Sequence, residues 1–130
     1  MEECADMCFY VQPIYRNVQK SRCDVVCWKV LRYLSTSELF VSVVQGYPYV
    51  RGVLQPRIPI ELYKSNWPTY IWVEEGYHAY TTQQRAYAVS EWFGDRVVVR
   101  CVVPAGTRWY YNARRRELVA EQIIVEEIEK

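Results

Sequence analysis

The sequence predicts an α+β domain that consists mostly of antiparallel β sheet, with one main helix over about residues 82–93. Several short segments alternate apolar and polar residues, which is typical of strands with one buried face. A single stretch carries its apolar residues at helical spacing instead. The chain has 130 residues, of which 51% are hydrophobic, so its length and apolar content fit one compact domain over residues 1–130.

The charges are balanced and the aromatic content is high. The chain has 16 Lys and Arg residues and 15 Asp and Glu residues, which gives a formal net charge of +1. No overall positive field therefore recruits a long nucleic acid. The aromatic residues make up 15% of the chain, and 12 of them are tyrosines. Tyrosine and tryptophan supply stacking faces with polar tips, which suit a ligand pocket as well as a core.

The start of the chain and the cysteines indicate a reducing compartment. Residues 1–6 are acidic and no apolar run follows them, so no signal peptide is expected. No run of about 18 apolar residues occurs, so no membrane contact is expected. The odd count of 5 cysteines favours free thiols in a cytoplasm. The pair spacings at 4–8 and 23–27 also allow a zinc site, but Cys27 lies in a predicted strand, so we predict buried free cysteines, no metal and no cofactor.

The first half of the chain predicts strands followed by a long loop. Residues 1–23 are irregular, residues 24–34 form a strand, and residues 38–44 form a second strand or a short helix. Residues 45–68 form a long aromatic loop that glycines and prolines interrupt, either a binding loop or lid, or a surface excursion. The alternation gives the first strand one face with Val26, Trp28, Val30 and Leu34, and another with Cys27, Lys29, Leu31 and Tyr33.

Two short strands, over residues 69–73 and 76–80, precede the predicted helix. Thr81 and Gln84 form a capping-box pattern, and Gly94 supplies a stop. The apolar residues at helical spacing are Ala86, Val89, Trp92 and Phe93.

Three further strands complete the predicted domain. Residues 96–103 alternate, with Val97, Val99, Cys101 and Val103 inward. A strand over 108–111 follows, and then a basic loop over 112–116. Residues 121–128 form a last strand or strand-like tail.

The candidate binding residues are one histidine and a cluster of arginines. His78 is the only histidine, and its ring suits a ribose or phosphate contact, or a structural role with backbone partners. A nucleophilic pair with Cys101 is not expected, because this thiol faces inward. Six arginines and no acid lie between Arg96 and Arg116, around Trp109. This pattern suits a phosphate with an attached base, or a solvated edge. No glycine-rich phosphate loop occurs, which excludes Rossmann and P-loop sites.

Three motifs are spread over most of the chain. They are Met7-Cys8-Phe9-Tyr10, Gly76-Tyr77-His78-Ala79-Tyr80-Thr81-Thr82 and Val103-Pro104-Ala105-Gly106-Thr107-Arg108-Trp109-Tyr110-Tyr111. The series resembles a family of small proteins found in phages and prophages of gut bacteria. This resemblance implies no particular activity.

Four other segments follow one another in a familiar order. They are Trp28-Lys29-Val30-Leu31-Arg32, Tyr80-Thr81-Thr82 with its helix, Val103-Pro104-Ala105-Gly106, and Glu121-Gln122-Ile123-Ile124-Val125. This order resembles the ADP-ribosyltransferase scaffold, and in an active transferase it implies Glu121 as the catalytic residue. Lys29 or Arg32 stands where that family has an arginine, and Val119 stands where it has an acceptor-orienting acid. The resemblance therefore implies binding without transfer.

The residues and the two resemblances together predict a site for a small nucleotide ligand. The predicted ligand-binding residues are Trp28, Lys29, Arg32, His78, Tyr80, Thr81, Arg100 and Trp109. We expect a protein that binds an ADP-ribose-related, NAD-related or cyclic nucleotide signal without turnover in the host bacterial cytoplasm, where it sequesters an immune signal. The alternatives are an active mono-ADP-ribosyltransferase or NAD glycohydrolase, and a surface-binding inhibitor of a host protein. The transferase order predicts one cleft for Lys29, Arg32, His78, Tyr80, Thr81 and Glu121.

Overall fold

The computed structural model describes residues 9–10, 19–20, 22–34, 39–42, 48–64, 71–73, 75–91 and 96–128. This part of the chain contains twelve strands and one helix. The elements are β1 (Phe9–Tyr10), β2 (Gln19–Lys20), β3 (Val25–Leu34), β4 (Leu39–Ser42), β5 (Pro48–Tyr49), β6 (Tyr63–Lys64), β7 (Ile71–Val73), β8 (Tyr77–Tyr80), α1 (Gln83–Ser90), β9 (Arg96–Val103), β10 (Arg108–Asn112), β11 (Glu117–Ala120) and β12 (Ile124–Ile128).

The predicted α+β class is wrong, because the described residues form a mostly antiparallel β domain. The helix has only 8 residues, and Ala86 is its one buried side chain. The core is instead built by the strands, and all their pairs are antiparallel. One short helix that buries so little cannot form a separate α layer.

The main sheet has the order β12-β9-β3-β8-β11-β10-β2, and a smaller sheet has the order β1-β7-β6. β3 is the central strand, and it forks the main sheet. One of its edges pairs with β9 from Val25 to Arg32. The other edge pairs with β8 at Trp28, and then with β4 from Leu31 to Leu34. β8 and β4 therefore separate at Lys29, which lies at the fork.

Residues 50–58 connect the β4–β5 branch with the opposite edge of the main sheet. Gly52 N donates to Val125 O at 2.7 Å, and Gln55 N donates to Ile123 O at 3.0 Å. Leu54 forms a bridge with Ile124 at the start of β12. This segment therefore runs along β12, at the edge of the main sheet.

The inner face of the sheet carries the main core. Alternation along β3 and β9 predicts this face, and the structure places the same residues there. Its buried members from seven strands include Cys27, Leu31, Phe40, Tyr49, Ala79, Val99, Cys101, Leu118 and Val125. The predicted inward set of the strand over 96–103 is confirmed.

The helix is shorter than predicted and begins one residue later. Thr82 is the N-cap, and its Oγ1 accepts a hydrogen bond from Arg85 N at 3.3 Å. The helix ends at Ser90, whereas the predicted end at residue 93 and the predicted stop at Gly94 lie outside the described residues. α1 packs against β3, β9 and β8. Ala86 is not part of the main core, so we place α1 on the outer face of the sheet.

Cys27 and Cys101 form a buried cross-strand pair. They lie opposite each other in β3 and β9, and neither side chain reaches solvent. Both thiols are free, as is Cys23, which is exposed. Burial raises the pKa of Cys27, and it raises the pKa of Cys101 to about 12. The partners of the predicted zinc spacing, Cys4 and Cys8, lie outside the described residues.

These thiols predict a loss of stability at alkaline pH. In the unfolded chain the thiol ionises near pH 9.0, whereas Cys101 keeps its proton in the fold up to a pH of about 12. The unfolded state therefore binds fewer protons between these values, and the free energy of unfolding falls by up to about 1.4 kcal/mol per pH unit and thiol. Urea unfolding between about pH 8 and pH 11 measures this slope. Cys101→Ala should give a shallower slope, and an unchanged slope would contradict this assignment.

Candidate functional site

The outer face of the sheet brings together three of the predicted ligand-binding residues. Trp28 lies directly opposite Tyr80 of β8 on one side and Arg100 of β9 on the other. Cross-strand partners point to the same face of a sheet, so the indole stands between a phenol and a guanidinium. All three residues are half-buried. This group, here called the Trp28 row, combines two aromatic rings with a cation.

Arginines lie beside and beyond the Trp28 row. Arg32 lies opposite Arg96 on the same face, four residues from Trp28 and about 13 Å further along β3. Like charges directly opposite each other are destabilising unless acids or a bound anion compensate them. Arg100 forms an ion pair with Glu126 of β12. The outer face is thus rich in guanidinium groups, and it also carries acids: Glu126 of β12 pairs with Arg100, and the buried Glu117 of β11 lies opposite Tyr80.

His78 and Thr81 are bound through their backbone groups. Lys29 Nζ donates a hydrogen bond to His78 O. Thr81 N donates to Arg116 O at 3.0 Å. The side chain of His78 points to the outer face with that of its β11 partner Val119.

Lys29 faces away from the Trp28 row. Side chains alternate along a strand, so Lys29 and its neighbour Trp28 point to opposite faces. The ammonium group is at the fork, where it binds His78 O and lies 5.5 Å from the centre of the Tyr49 ring. A hydrogen bond and a ring face thus stabilise a buried cation where two strands separate.

Trp109 also belongs to the inner face. It is buried opposite Ala120, and its ring centre lies 6.1 Å from that of Tyr111. The indole therefore packs in the core. The structure divides the predicted ligand-binding residues between the two faces of the sheet.

Glu121 is the centre of a buried charged cluster. Its Oε1 accepts a hydrogen bond from Arg57 Nε at 3.1 Å, and its Oε2 accepts from Arg108 Nη1 at 3.4 Å and from Ile60 N at 3.3 Å. The Glu121 side chain is 4% exposed, whereas those of Arg57 and Arg108 are 60% and 40% exposed. We call Arg57, Glu121 and Arg108 the Glu121 cluster.

Backbone hydrogen bonds fix Glu121 on both sides. Its N–H donates to Arg108 O at 3.0 Å, and its carbonyl accepts from Ile58 N at 2.9 Å. Both carboxylate oxygens and both backbone groups are therefore bound. Glu121 joins the segment around Ile58 to β10 and holds two guanidinium groups in place.

Tyr110 lies close to the Glu121 cluster. Burial raises the pKa of its phenol, Arg108 lowers this pKa, and Glu121 raises it. The phenol therefore stays neutral at physiological pH. A neutral hydroxyl beside the Arg108 guanidinium is a hydrogen-bonding group that adds no charge.

The sequence prediction of the site omits Arg57, Arg108 and Glu117. Arg57 and Glu121 are 64 residues apart in the sequence, so no local pattern predicts their contact. Glu117 is fully buried opposite Tyr80, with Arg115 Nε 3.9 Å from its carboxylate. Arg115 lies in the predicted basic loop, but its side chain pairs with a buried carboxylate. Alternation along β10 could have identified Arg108, because it places this residue on one face with Tyr110.

The predicted aromatic loop over 45–68 is tied down in its described part, residues 48–64. Besides the bonds to β12, Tyr77 Oη donates to Pro56 O at 2.6 Å, and Gln122 Nε2 donates to Gln55 O at 3.2 Å. Backbone pairing of this kind favours the surface excursion over the lid.

Neither a metal centre nor a membrane-spanning helix is found within the described ranges. No three His, Cys, Asp or Glu side chains are grouped there as a metal ion needs. α1 is too short to cross a bilayer, and it is the one helix described.

Comparison of the chain with protein-family models, with curated protein sequences and with solved structures finds no match in any of the three. The resemblance to phage proteins and the resemblance to ADP-ribosyltransferases both stay predictions. The function must be inferred from the geometry of the chain itself.

Proposed function

We propose that the protein is a phage-type binder of a compact nucleotide-like anion, related to ADP-ribose, to NAD or to a cyclic nucleotide signal. It holds this ligand without turnover. The observation that carries the proposal is the Trp28 row, in which an indole stands between Tyr80 and Arg100. The pair of Arg32 and Arg96 on the same face supplies further guanidiniums.

α1 packs against β3, β8 and β9 on the outer face, and beside the helix the chemistry of this face suits a base joined to phosphates. Stacking of a base on an aromatic ring contributes about 1–3 kcal/mol, and guanidiniums bind phosphate oxygens in pairs. Trp28 and Arg32 are about 13 Å apart along β3. This spacing suits a ligand with its base at one end and its phosphates towards the other, such as a dinucleotide. Binding with slow release is sufficient to sequester a signal in an infected bacterial cytoplasm.

The hydrogen bonds that occupy the Glu121 carboxylate support binding without turnover. An active transferase or NAD glycohydrolase needs this carboxylate beside the ribose. Here Arg57, Arg108 and Ile60 N bind its two oxygens. We expect no release of nicotinamide from NAD, and a release that Glu121→Gln abolishes would establish the active transferase instead.

Arg32→Ala is expected to weaken nucleotide binding about tenfold to a hundredfold, because a charged hydrogen bond to phosphate contributes about 1.5–3 kcal/mol. The matched control is Arg114→Ala, whose side chain is exposed in the turn before β11. It should change the affinity less than about threefold.

To identify the ligand, the purified protein is denatured and the small molecules that it releases are analysed. Thermal-shift measurements with NAD, ADP-ribose, cyclic ADP-ribose isomers and cyclic dinucleotides accompany this step. A bound ligand raises the melting temperature. If no nucleotide at about millimolar concentration shifts the transition, the proposed function fails.

A protein-binding surface is the second candidate function, and exposed apolar residues favour it. Val50, Val53 and Leu54 are 54%, 49% and 45% exposed on a segment that pairs with β12. Ordered apolar patches of this kind often bind other proteins. Size-exclusion chromatography with host lysate and mass spectrometry would detect a co-eluting partner that Val53→Lys loses. Val26→Lys, at another exposed valine, should retain it.

A further inference from the structure

We infer that the Glu121 cluster and Lys20 form a separate anion site, which binds the phosphate group of a small phosphomonoester or inorganic phosphate. The site lies around the start of β10 and the segment 57–60. It shares no residue with the Trp28 row, so the two proposals can fail independently.

The charges around Glu121 do not balance. Lys20 of β2 lies directly opposite Arg108 of β10, so both side chains point to the same face, and Lys20 is exposed. Arg57 binds the other carboxylate oxygen, because its Nε donates to Oε1 of Glu121. Among the described residues, Glu121 is the one carboxylate that forms an ion pair with Arg57 or Arg108, and Lys20 has no ion-pair partner. The three cations Arg57, Arg108 and Lys20 and the carboxylate of Glu121 sum to a charge of +2.

The two guanidiniums are held in place before any ligand arrives. Each donates to a different oxygen of the same carboxylate, so one carboxylate fixes the positions of both guanidiniums. Ile60 N and the backbone of Ile58 hold Glu121 itself. A buried acid that orients two arginines reduces the conformational entropy that these side chains lose on binding.

Most of the donors of the cluster remain available to solvent. A guanidinium has five N–H groups, and Arg57 and Arg108 each donate one of them to Glu121. Their side chains are 60% and 40% exposed. The remaining N–H groups therefore meet water on the side away from the buried carboxylate, where an anion can replace the water.

A phosphate dianion fits this set of groups better than a carboxylate does. Guanidiniums bind phosphate oxygens in a bidentate manner, and a lysine adds a point charge. The local charge of +2 matches the charge of a phosphomonoester near pH 7. Tyr110, neutral because burial raises its pKa, adds a hydroxyl and no repulsion. Since the arginines are partly exposed, we expect a dissociation constant of about 1 mM.

The test is a titration of the ¹⁵N-labelled protein with inorganic phosphate and, separately, with phenyl phosphate at constant ionic strength, followed by amide chemical shifts. Saturable shifts are expected at Lys20, Ile60 and Arg108. Arg57→Gln should weaken binding at least about tenfold, because it removes a charged hydrogen bond. Arg51→Gln is the matched control on the same segment, where Arg51 is exposed and paired with Glu127. It should weaken binding less than about twofold.

Each outcome decides the proposal. Tighter binding of phenyl phosphate supports a phosphomonoester ligand, and equal binding supports any phosphate dianion. Shifts that stay linear up to about 20 mM phosphate, or an equal loss in both arginine variants, would overturn the site. Trp28→Ala should leave phosphate binding unchanged. A loss in that variant would overturn the separation from the Trp28 row, whereas failure of nucleotide binding alone leaves the phosphate site standing.

Discussion

Gly76→Ala is expected to lower the free energy of unfolding by about 3–4 kcal/mol. Gly76 has a φ of +126°, in the region that side chains rarely adopt. A Cβ there would lie 2.5 Å from Cγ2 of Val119 and 2.9 Å from Cγ2 of Ile60. Both neighbours are buried, so neither has room to withdraw. Backbone strain and overpacking therefore add at one position.

Gly52→Ala separates these two causes. Gly52 also has a positive φ, +76°, but a Cβ there meets nothing within 4 Å. Gly52→Ala should lower the free energy of unfolding only through backbone strain, by about 1 kcal/mol. Thermal unfolding should show a decrease of about 12–16 °C for Gly76→Ala and of about 4 °C for Gly52→Ala, at about 4 °C per kcal/mol. Equal decreases in melting temperature would show that the close contact with Val119 does not contribute to the loss of stability.

A strand whose residues alternate clearly is predictable from the sequence, whereas β11 is not. β3 alternates clearly, and the structure places it within one residue of the predicted bounds, 24–34. β11 was not predicted as a strand, because all four of its residues from Glu117 to Ala120 are buried and no alternation remains. The predicted helix is longer than α1, because Trp92 and Phe93 continue the apolar spacing in the sequence.

The two groups of the site differ in how far their predictability depends on contacts between distant parts of the sequence. The register of β3 with β8 and β9 determines the Trp28 row, and alternation had already placed Trp28 and Lys29 on opposite faces. The Glu121 cluster depends on the pairing of residues 50–58 with 121–125. That pairing joins residues more than 60 positions apart, in a segment that its prolines make irregular. Only the folded chain shows that Arg57 belongs to it.

The burial of Glu121 predicts the second large effect on stability. Glu121→Ala is expected to lower the free energy of unfolding by about 3 kcal/mol, because it removes the acceptor of Ile60 N and of two guanidiniums. Ile60 is 3% exposed, so water cannot easily take the place of the lost acceptor.

Glu126→Ala is the control, since it also removes one glutamate from an arginine pair. The Glu126 side chain is 37% exposed and that of its partner Arg100 is 36% exposed, so water can solvate the arginine that is left. A loss of about 0–1 kcal/mol is therefore expected. Urea unfolding at neutral pH measures both values. Glu121→Gln, which keeps one side-chain oxygen as an acceptor, should fall between them. If Glu121→Ala costs no more than Glu126→Ala, the Glu121 cluster does not hold the segment around Ile60 to β10.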